Sequence, residues 1–107
     1  MTTHLTTHIL DASTGVPATG VGVVLADVTG GVVAEGNTDS DGRLALGPEI
    51  LARGDYALTF ATGAYFSSQG VETFYPSATV TFTVTDERHY HVPLLLSPFA
   101  YSTYRGS

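Results

Sequence analysis

The chain has 107 residues, 43% of them hydrophobic and 13% charged, with a formal net charge of −6. That length fits one domain around one hydrophobic core, and the apolar content excludes a disordered chain. Four Lys plus Arg leave no basic stripe to displace counterions from nucleic-acid phosphates, and the absence of cysteine excludes disulfides, thiolate metal sites and a cysteine nucleophile.

Charged residues are about half as frequent as in an average protein. A small domain has a large surface for its volume, so such scarce charge leads us to expect burial against other copies of the chain. The opening "MTTHLTTHILDAS" has neither a basic segment nor a long apolar one, and no run approaches the roughly 18 residues of a membrane helix. A cytoplasmic protein with neither nucleic acid nor membrane as partner is the expectation.

Period-two patterns dominate the chain. "LTTHIL" (5–10) puts Leu5, Thr7 and Ile9 on one face and Thr6, His8 and Leu10 on the other. "DASTGVPATG" (11–20) is dense in turn formers. "VGVVLADV" (21–28), "TGG" and "VVAEG" (32–36) read as a hairpin. "NTDSDG" turns tightly into a short strand, "RLAL" (43–46), and "GPEILARGD" (47–55) has room for one helical turn, with Pro48 in its first turn.

"YALTFA" (56–61) alternates again, with Tyr56, Leu58 and Phe60 aligned. "GAYFSSQG" (63–70) lacks alternation and predicts a short helix between its glycines. "ATVTFTVT" (78–85) sets Val80, Phe82 and Val84 against threonines, and "HYHVPLLL" (89–96) and "FAYSTY" (99–104) complete the set. Roughly seven or eight short strands spaced by turns predict an all-β, antiparallel sandwich carrying one short helix.

Few groups can do chemistry. His8 lies on a strand face with Thr6 and Leu10, where a half-exposed surface histidine is the plain alternative. His89 and His91 are two apart on one strand and project from one face, as half of a zinc site would. With His8 they make a conceivable three-histidine zinc, against the plain reading of one exposed and one edge histidine. Arg43, after "TDSDG", is a natural anchor for an anionic or carbonyl-rich ligand, or else it pairs with Asp39 or Asp41. Asn37, Asp39, Asp41 and Gly42 match the first half of a calcium loop, but its twelfth position would be Pro48. No G-x-S-x-G elbow occurs, so the nucleophile of any reaction is water, activated by histidine.

In order along nearly the whole chain, "THILD", "TGVPATGVGVVL", "TDSDGR", "YALTFATGAYF", "FYP", "HYHVPLLLSP" and the terminal "YRGS" resemble the transthyretin-related family. Within it they resemble the branch that ends in YRGS and acts as 5-hydroxyisourate hydrolase. The resemblance implies a transthyretin-like sandwich of seven or eight strands over residues 1–107. It implies a homotetramer, a dimer of dimers with sites at the dimer–dimer interface, and hydrolysis of a cyclic acyl–nitrogen bond in urate breakdown without metal or cofactor.

Carried over residue by residue, it implies His8, Arg43, His91 and Ser107 as catalytic. It places His8, Arg43, Tyr104 and Ser107 on the substrate, with Arg105 and Gly106 shaping a tail that folds back over the site. His89 receives no role. The alternatives are a non-catalytic carrier that binds an aromatic ligand in the channel between subunits, the zinc hydrolase of His8, His89 and His91, and a purely structural sandwich.

Overall fold

The computed structural model describes residues 4–106. In chain order it contains β1 (Leu5–Asp11), β2 (Val16–Pro17), β3 (Gly22–Asp27), β4 (Val32–Asn37), β5 (Arg43–Leu46), β6 (Gly54–Phe60), α1 (Thr62–Ser68), β7 (Ala78–Val84), β8 (Tyr90–Ser97) and β9 (Ala100–Thr103). Two sheets form. One runs β2-β1-β8-β9, with β5 also paired to β1; the other runs β4-β3-β6-β7. Among the described residues no helix is long and apolar enough to cross a membrane.

The alternation in the sequence is the burial pattern of the strands. In β1 every second residue from Leu5 to Asp11 is buried, and in β6 Tyr56, Leu58 and Phe60 turn inward. Leu5, Ile9, Leu25, Leu58, Phe60 and Leu94 are fully enclosed between the two sheets. This leaves Thr6, His8 and Leu10 on the outer face of the first sheet, as their period requires.

Three features depart from the sequence reading. One is the pairing of β1 with β8, which is parallel, Leu5 to Asp11 against Tyr90 to Leu96, where an all-antiparallel sandwich was expected. The intervening chain visits the other sheet and returns, and such a crossover is what parallel neighbours require. A second is the two-residue strand β2 inside the turn-rich segment 11–20, which raises the count to nine among the described residues.

The third is segment 47–55, where bends up to residue 53 and the start of β6 at Gly54 take the place of a helical turn. Its backbone groups bond elsewhere: the Leu51 N–H donates to His4 Nδ1 at 2.7 Å, and the Pro48 carbonyl accepts the His4 N–H. With Gly47 at φ +89° and Leu51 buried, tertiary bonds replace the local i to i−4 bonds a helix would need.

The helix α1 is tied to β1 by a buried polar contact. Tyr65 donates from its hydroxyl to Asp11 Oδ2 at 2.8 Å, while the Ser13 N–H and hydroxyl donate to Oδ1. Burial pushes the Asp11 carboxyl up, but these hydrogen bonds together outweigh it and hold it below its ordinary value. Replacing Tyr65 with Phe leaves Oδ2 buried without its donor and should cost about 1–3 kcal/mol in urea unfolding at neutral pH. A carboxyl depressed in the folded state contributes stability above its unfolded value and loses it as pH falls through its folded value. The difference between native and variant should therefore shrink on acidification, and a gap that is constant with pH would refute the assignment.

Candidate active site

The outer face of the first sheet gathers residues from four distant parts of the chain. Strand β1 is its centre. On one side the antiparallel register sets His8 against Arg43, and on the other the parallel register sets Thr6 against His91 and His8 against Pro93. Registered neighbours in adjacent strands point to the same face, about 5 Å apart. His8, Arg43 and His91, the residues singled out in the sequence, therefore share one surface.

Each is held by identifiable bonds. The His8 ring donates from Nε2–H to the Asp41 carbonyl at 2.9 Å. A carbonyl only accepts, so Nε2 carries the proton and a neutral His8 keeps its lone pair on Nδ1. Asp41 is positioned by the turn: Asp39 Oδ1 accepts the N–H groups of Asp41 and Arg43 at 2.8 and 3.0 Å. Those backbone bonds lower the Asp39 carboxyl, helped by the charges of Arg43 and His8. Gly42 closes the turn at φ +75°, where a Cβ would lie 2.4 Å from the Ile9 carbonyl oxygen.

Asp39 thus serves the backbone. The expected alternative of an Asp39 or Asp41 ion pair with Arg43 is not formed, and among the described residues the only ion pair is Arg88 with Asp86. Among the described residues no carboxylate engages the guanidinium of Arg43, which is exposed on the sheet face.

His91 is half-buried. Its Nδ1 lies 2.8 Å from the Thr6 hydroxyl, which is also 2.7 Å from His89 Nε2. Burial lowers the His91 pKa below the ordinary histidine value of 6.5, and the charges of His89, His8 and Arg43 lower it further, against an opposing hydrogen bond to the Thr6 backbone. At neutral pH His91 is a neutral imidazole with Nε2 free of protein partners among the described residues.

The tail returns over this histidine. Thr103 donates to the Pro93 carbonyl, and the Arg105 guanidinium sits 4.5 Å above the Tyr90 ring. The Gly106 N–H then donates to the His91 carbonyl at 2.9 Å. A Cβ on Gly106 would lie 2.4 Å from His91 Cδ2, so glycine alone permits the approach. Tyr104, largely exposed, lines a cleft of about 300 Å³ together with His91, Tyr90, Phe82 and Arg105. Ser107 lies outside the described residues. A larger hollow of about 520 Å³ has Glu35 as its one ionisable lining residue and none of the expected groups.

Sequence reasoning missed two residues. Thr6 was placed on the correct face by alternation, but its contact with both histidines depends on a register no local pattern reveals. His4 received no attention, yet it is buried, accepts from Leu51 through Nδ1 and meets the Tyr90 ring edge-on at 5.1 Å. As for zinc, no three ligating side chains converge among the described residues. His89 and His91 have ring centroids 6.4 Å apart, with the Thr6 hydroxyl bonded to both.

Residues 5–106 match the model of the HIUase/Transthyretin family. The 5-hydroxyisourate hydrolase of Salmonella dublin is 51% identical over 109 residues, which cover 96% of this chain and 80% of that protein. The solved 5-hydroxyisourate hydrolase of Klebsiella pneumoniae superposes with a TM-score of 0.90 at 44% identity, covering 96% of this chain and 98% of that one. Sea bream transthyretin, solved in complex with thyroxine, superposes at 0.88 with 35% identity, covering 96% and 94% of the two chains.

Two outcomes test this geometry without any substrate. The His91 imidazole should titrate below 6.5 by NMR, and His89→Gln should move it upward by removing a nearby positive charge; an ordinary, unshifted titration would contradict the environment described. Gly106→Ala should release the tail, seen as faster hydrogen exchange of the residue 106 amide. Unchanged protection would show that the tail does not pack against His91.

Proposed function

The chain belongs to the HIUase/transthyretin family, and we propose that it is a hydrolase of that family acting on 5-hydroxyisourate in urate degradation. It opens the six-membered ring by adding water across a cyclic acyl–nitrogen bond, which yields 2-oxo-4-hydroxy-4-carboxy-5-ureidoimidazoline. The observation that carries this reading is the common face of His8, Arg43 and His91, with the returning tail bonded to the His91 backbone. Those groups match what the reaction needs: a base for water, a cation for charge developing on the carbonyl oxygen, and a proton for the leaving nitrogen.

His91, kept neutral, takes a proton from water at Nε2 as the oxygen attacks the acyl carbon, and later gives a proton to the departing nitrogen. His8, with Nε2–H committed to the Asp41 carbonyl, accepts the second hydrogen of that water at Nδ1 and aims its lone pair. Arg43, free of carboxylate partners among the described residues, holds the carbonyl oxygen as it becomes negative. Tyr104 and Ser107 orient the substrate from the tail. None of these steps calls on a metal or organic cofactor.

The site lies on the outer face of a sheet, where His8 and His91 are half-buried and Arg43 is exposed in the single chain. That exposure, the low charge content and the exposed Leu95, Phe99 and Tyr101 near the β8–β9 turn support a homotetramer, a dimer of dimers, in which a second copy closes each site. The substrate is a small molecule, the domain spans residues 1–107, and the protein works in the cytoplasm. A carrier of aromatic ligands is the weaker reading, because two imidazoles and a guanidinium on an open face serve proton transfer better than apolar binding.

The test is to form 5-hydroxyisourate from urate and urate oxidase, add the protein with a chelator present, and follow the ultraviolet decay. Accelerated decay is expected. Decay at the spontaneous rate would refute the hydrolase, and recovery on adding zinc would favour the His8, His89 and His91 alternative. His8→Gln, Arg43→Met and His91→Gln should each cut turnover by at least roughly tenfold while leaving the protein folded. Near-native turnover in all three would refute the site.

A further inference from the structure

On the basis of this hydrolytic reading, we propose that the Thr6 hydroxyl couples His91 to the exposed His89 as a proton relay. Through it His91 exchanges base and acid forms without holding a positive charge. Two contacts carry the proposal: Thr6 Oγ1 lies 2.8 Å from His91 Nδ1 and 2.7 Å from His89 Nε2.

A threonine hydroxyl has one proton to donate and lone pairs to accept. It cannot donate to both ring nitrogens, so in a neutral, fully bonded chain one imidazole donates to Thr6 and the other accepts from it. Two arrangements satisfy this. In the first, His91 Nδ1–H donates to Thr6 and Thr6 donates to His89 Nε2, which leaves His91 Nε2 as a bare lone pair facing the site. In the second, Thr6 donates to His91 Nδ1 and His89 Nε2–H donates to Thr6, which leaves His91 with its proton on Nε2. The first is a base and the second an acid.

The passage between them balances. Water loses a proton to His91 Nε2; the Nδ1 proton moves to Thr6 Oγ1; the Thr6 hydroxyl proton moves to His89 Nε2; and the exposed His89 releases the proton of its other nitrogen to bulk solvent, directly or through a neighbouring group. When His91 hands its Nε2 proton to the leaving nitrogen, His89 takes one from solvent and the three groups return to the first arrangement. Charge does not accumulate at His91. That matters because the ring is half-buried and faces His8, Arg43 and His89, all of which oppose a cation there.

The fold holds the relay still. Thr6 and His91 are registered partners in the parallel β1–β8 pairing, and Thr6 is β-branched with a restricted side-chain rotation. Gly106 packs on the Cδ2 edge of the His91 ring, which keeps Nδ1 turned toward Thr6. No other hydroxyl or carboxylate bonds the His91 ring among the described residues.

The experiment compares the native protein with Thr6→Val, Thr6→Ser and His89→Gln in the 5-hydroxyisourate assay. Thr6→Val keeps the shape and removes the hydroxyl. It should lower kcat by about tenfold or more with KM nearly unchanged, while Thr6→Ser, which restores the hydroxyl, should recover most of it. His89→Gln, an exposed change that leaves the fold undisturbed, should lower kcat in dilute non-nucleophilic buffer and regain it when imidazole is added as a mobile proton carrier. In mixtures of light and heavy water the native rate should depend on more than one moving proton, and the Thr6→Val rate on one.

Native activity with Thr6→Val and His89→Gln both within about twofold of it would overturn the relay while leaving the hydrolase intact. A Thr6→Val defect that Thr6→Ser fails to recover, with no imidazole response in His89→Gln, would also overturn it, leaving Thr6 a packing residue. A native protein that does not accelerate the decay overturns the hydrolase, and the relay falls with it.

Discussion

The parallel pairing of β1 with β8 is the constraint on which the rest of this site depends. It joins the start of the chain to its end over seven registered residues, and nothing local holds them together. Because the side-chain period in a strand is two, a slip of one residue would turn Thr6 and His8 inward and Leu5, Thr7 and Ile9 outward. The enclosed Leu5, Ile9 and Leu94 forbid that slip. The same apolar contacts that stabilise the sandwich therefore set the Thr6–His91 and His8–Arg43 juxtapositions. Packing and chemistry share one register.

Around that register the polar groups are arranged to keep particular protons in place. The turn before β5 uses the Asp39 carboxylate to collect backbone N–H groups and so leaves the Asp41 carbonyl aimed at His8 and the Arg43 side chain without a carboxylate partner among the described residues. His91, by contrast, has no acceptor carboxylate among the described residues; its burial, and the added charge repulsion of His89, His8 and Arg43, favour the neutral ring. The two imidazoles thus differ in function because their surroundings differ, one bonded to a carbonyl and one to a hydroxyl. Asp11, on the inner face of the same strand, shows the opposite solution for a buried charge, with donors enough to keep it ionised.

The tail is tied down by contacts that a fraying terminus would lack. Thr103 bonds the Pro93 carbonyl, Arg105 stacks over Tyr90 and Gly106 bonds the His91 backbone. Tyr90 is itself anchored by accepting from the Thr85 amide and donating to Asp86. These contacts account for Thr103, Arg105 and Gly106, while Tyr104 is largely exposed beside the cleft. The absence of a side chain at Gly106 is what lets the last turn of the path close over the His91 ring.

Much of this was legible in the sequence, for a physical reason: alternation, turn chemistry and short-range helix signals are local. The faces of β1, β6 and β7, the hairpin of β3 and β4, the Asp39–Gly42 turn and the helix at 62–68 all follow from residues within a few positions of one another. So does the presence of His8 on an outward face; His91 lies on β8 as expected, whereas His89 falls just before that strand, which begins at Tyr90. Family resemblance then singled out His8, Arg43 and His91 among the available groups.

What the sequence by itself determined was which side chains each strand offers and to which side. Only the tertiary structure decided which strands meet and in what direction. The parallel β1–β8 pair, the refusal of 47–55 to coil because His4 takes its backbone bonds, and the Thr6 hydroxyl shared by two histidines are all contacts across 40 or more residues. Such contacts are set by how apolar surfaces close upon one another, and no repeat within a single strand encodes that closure.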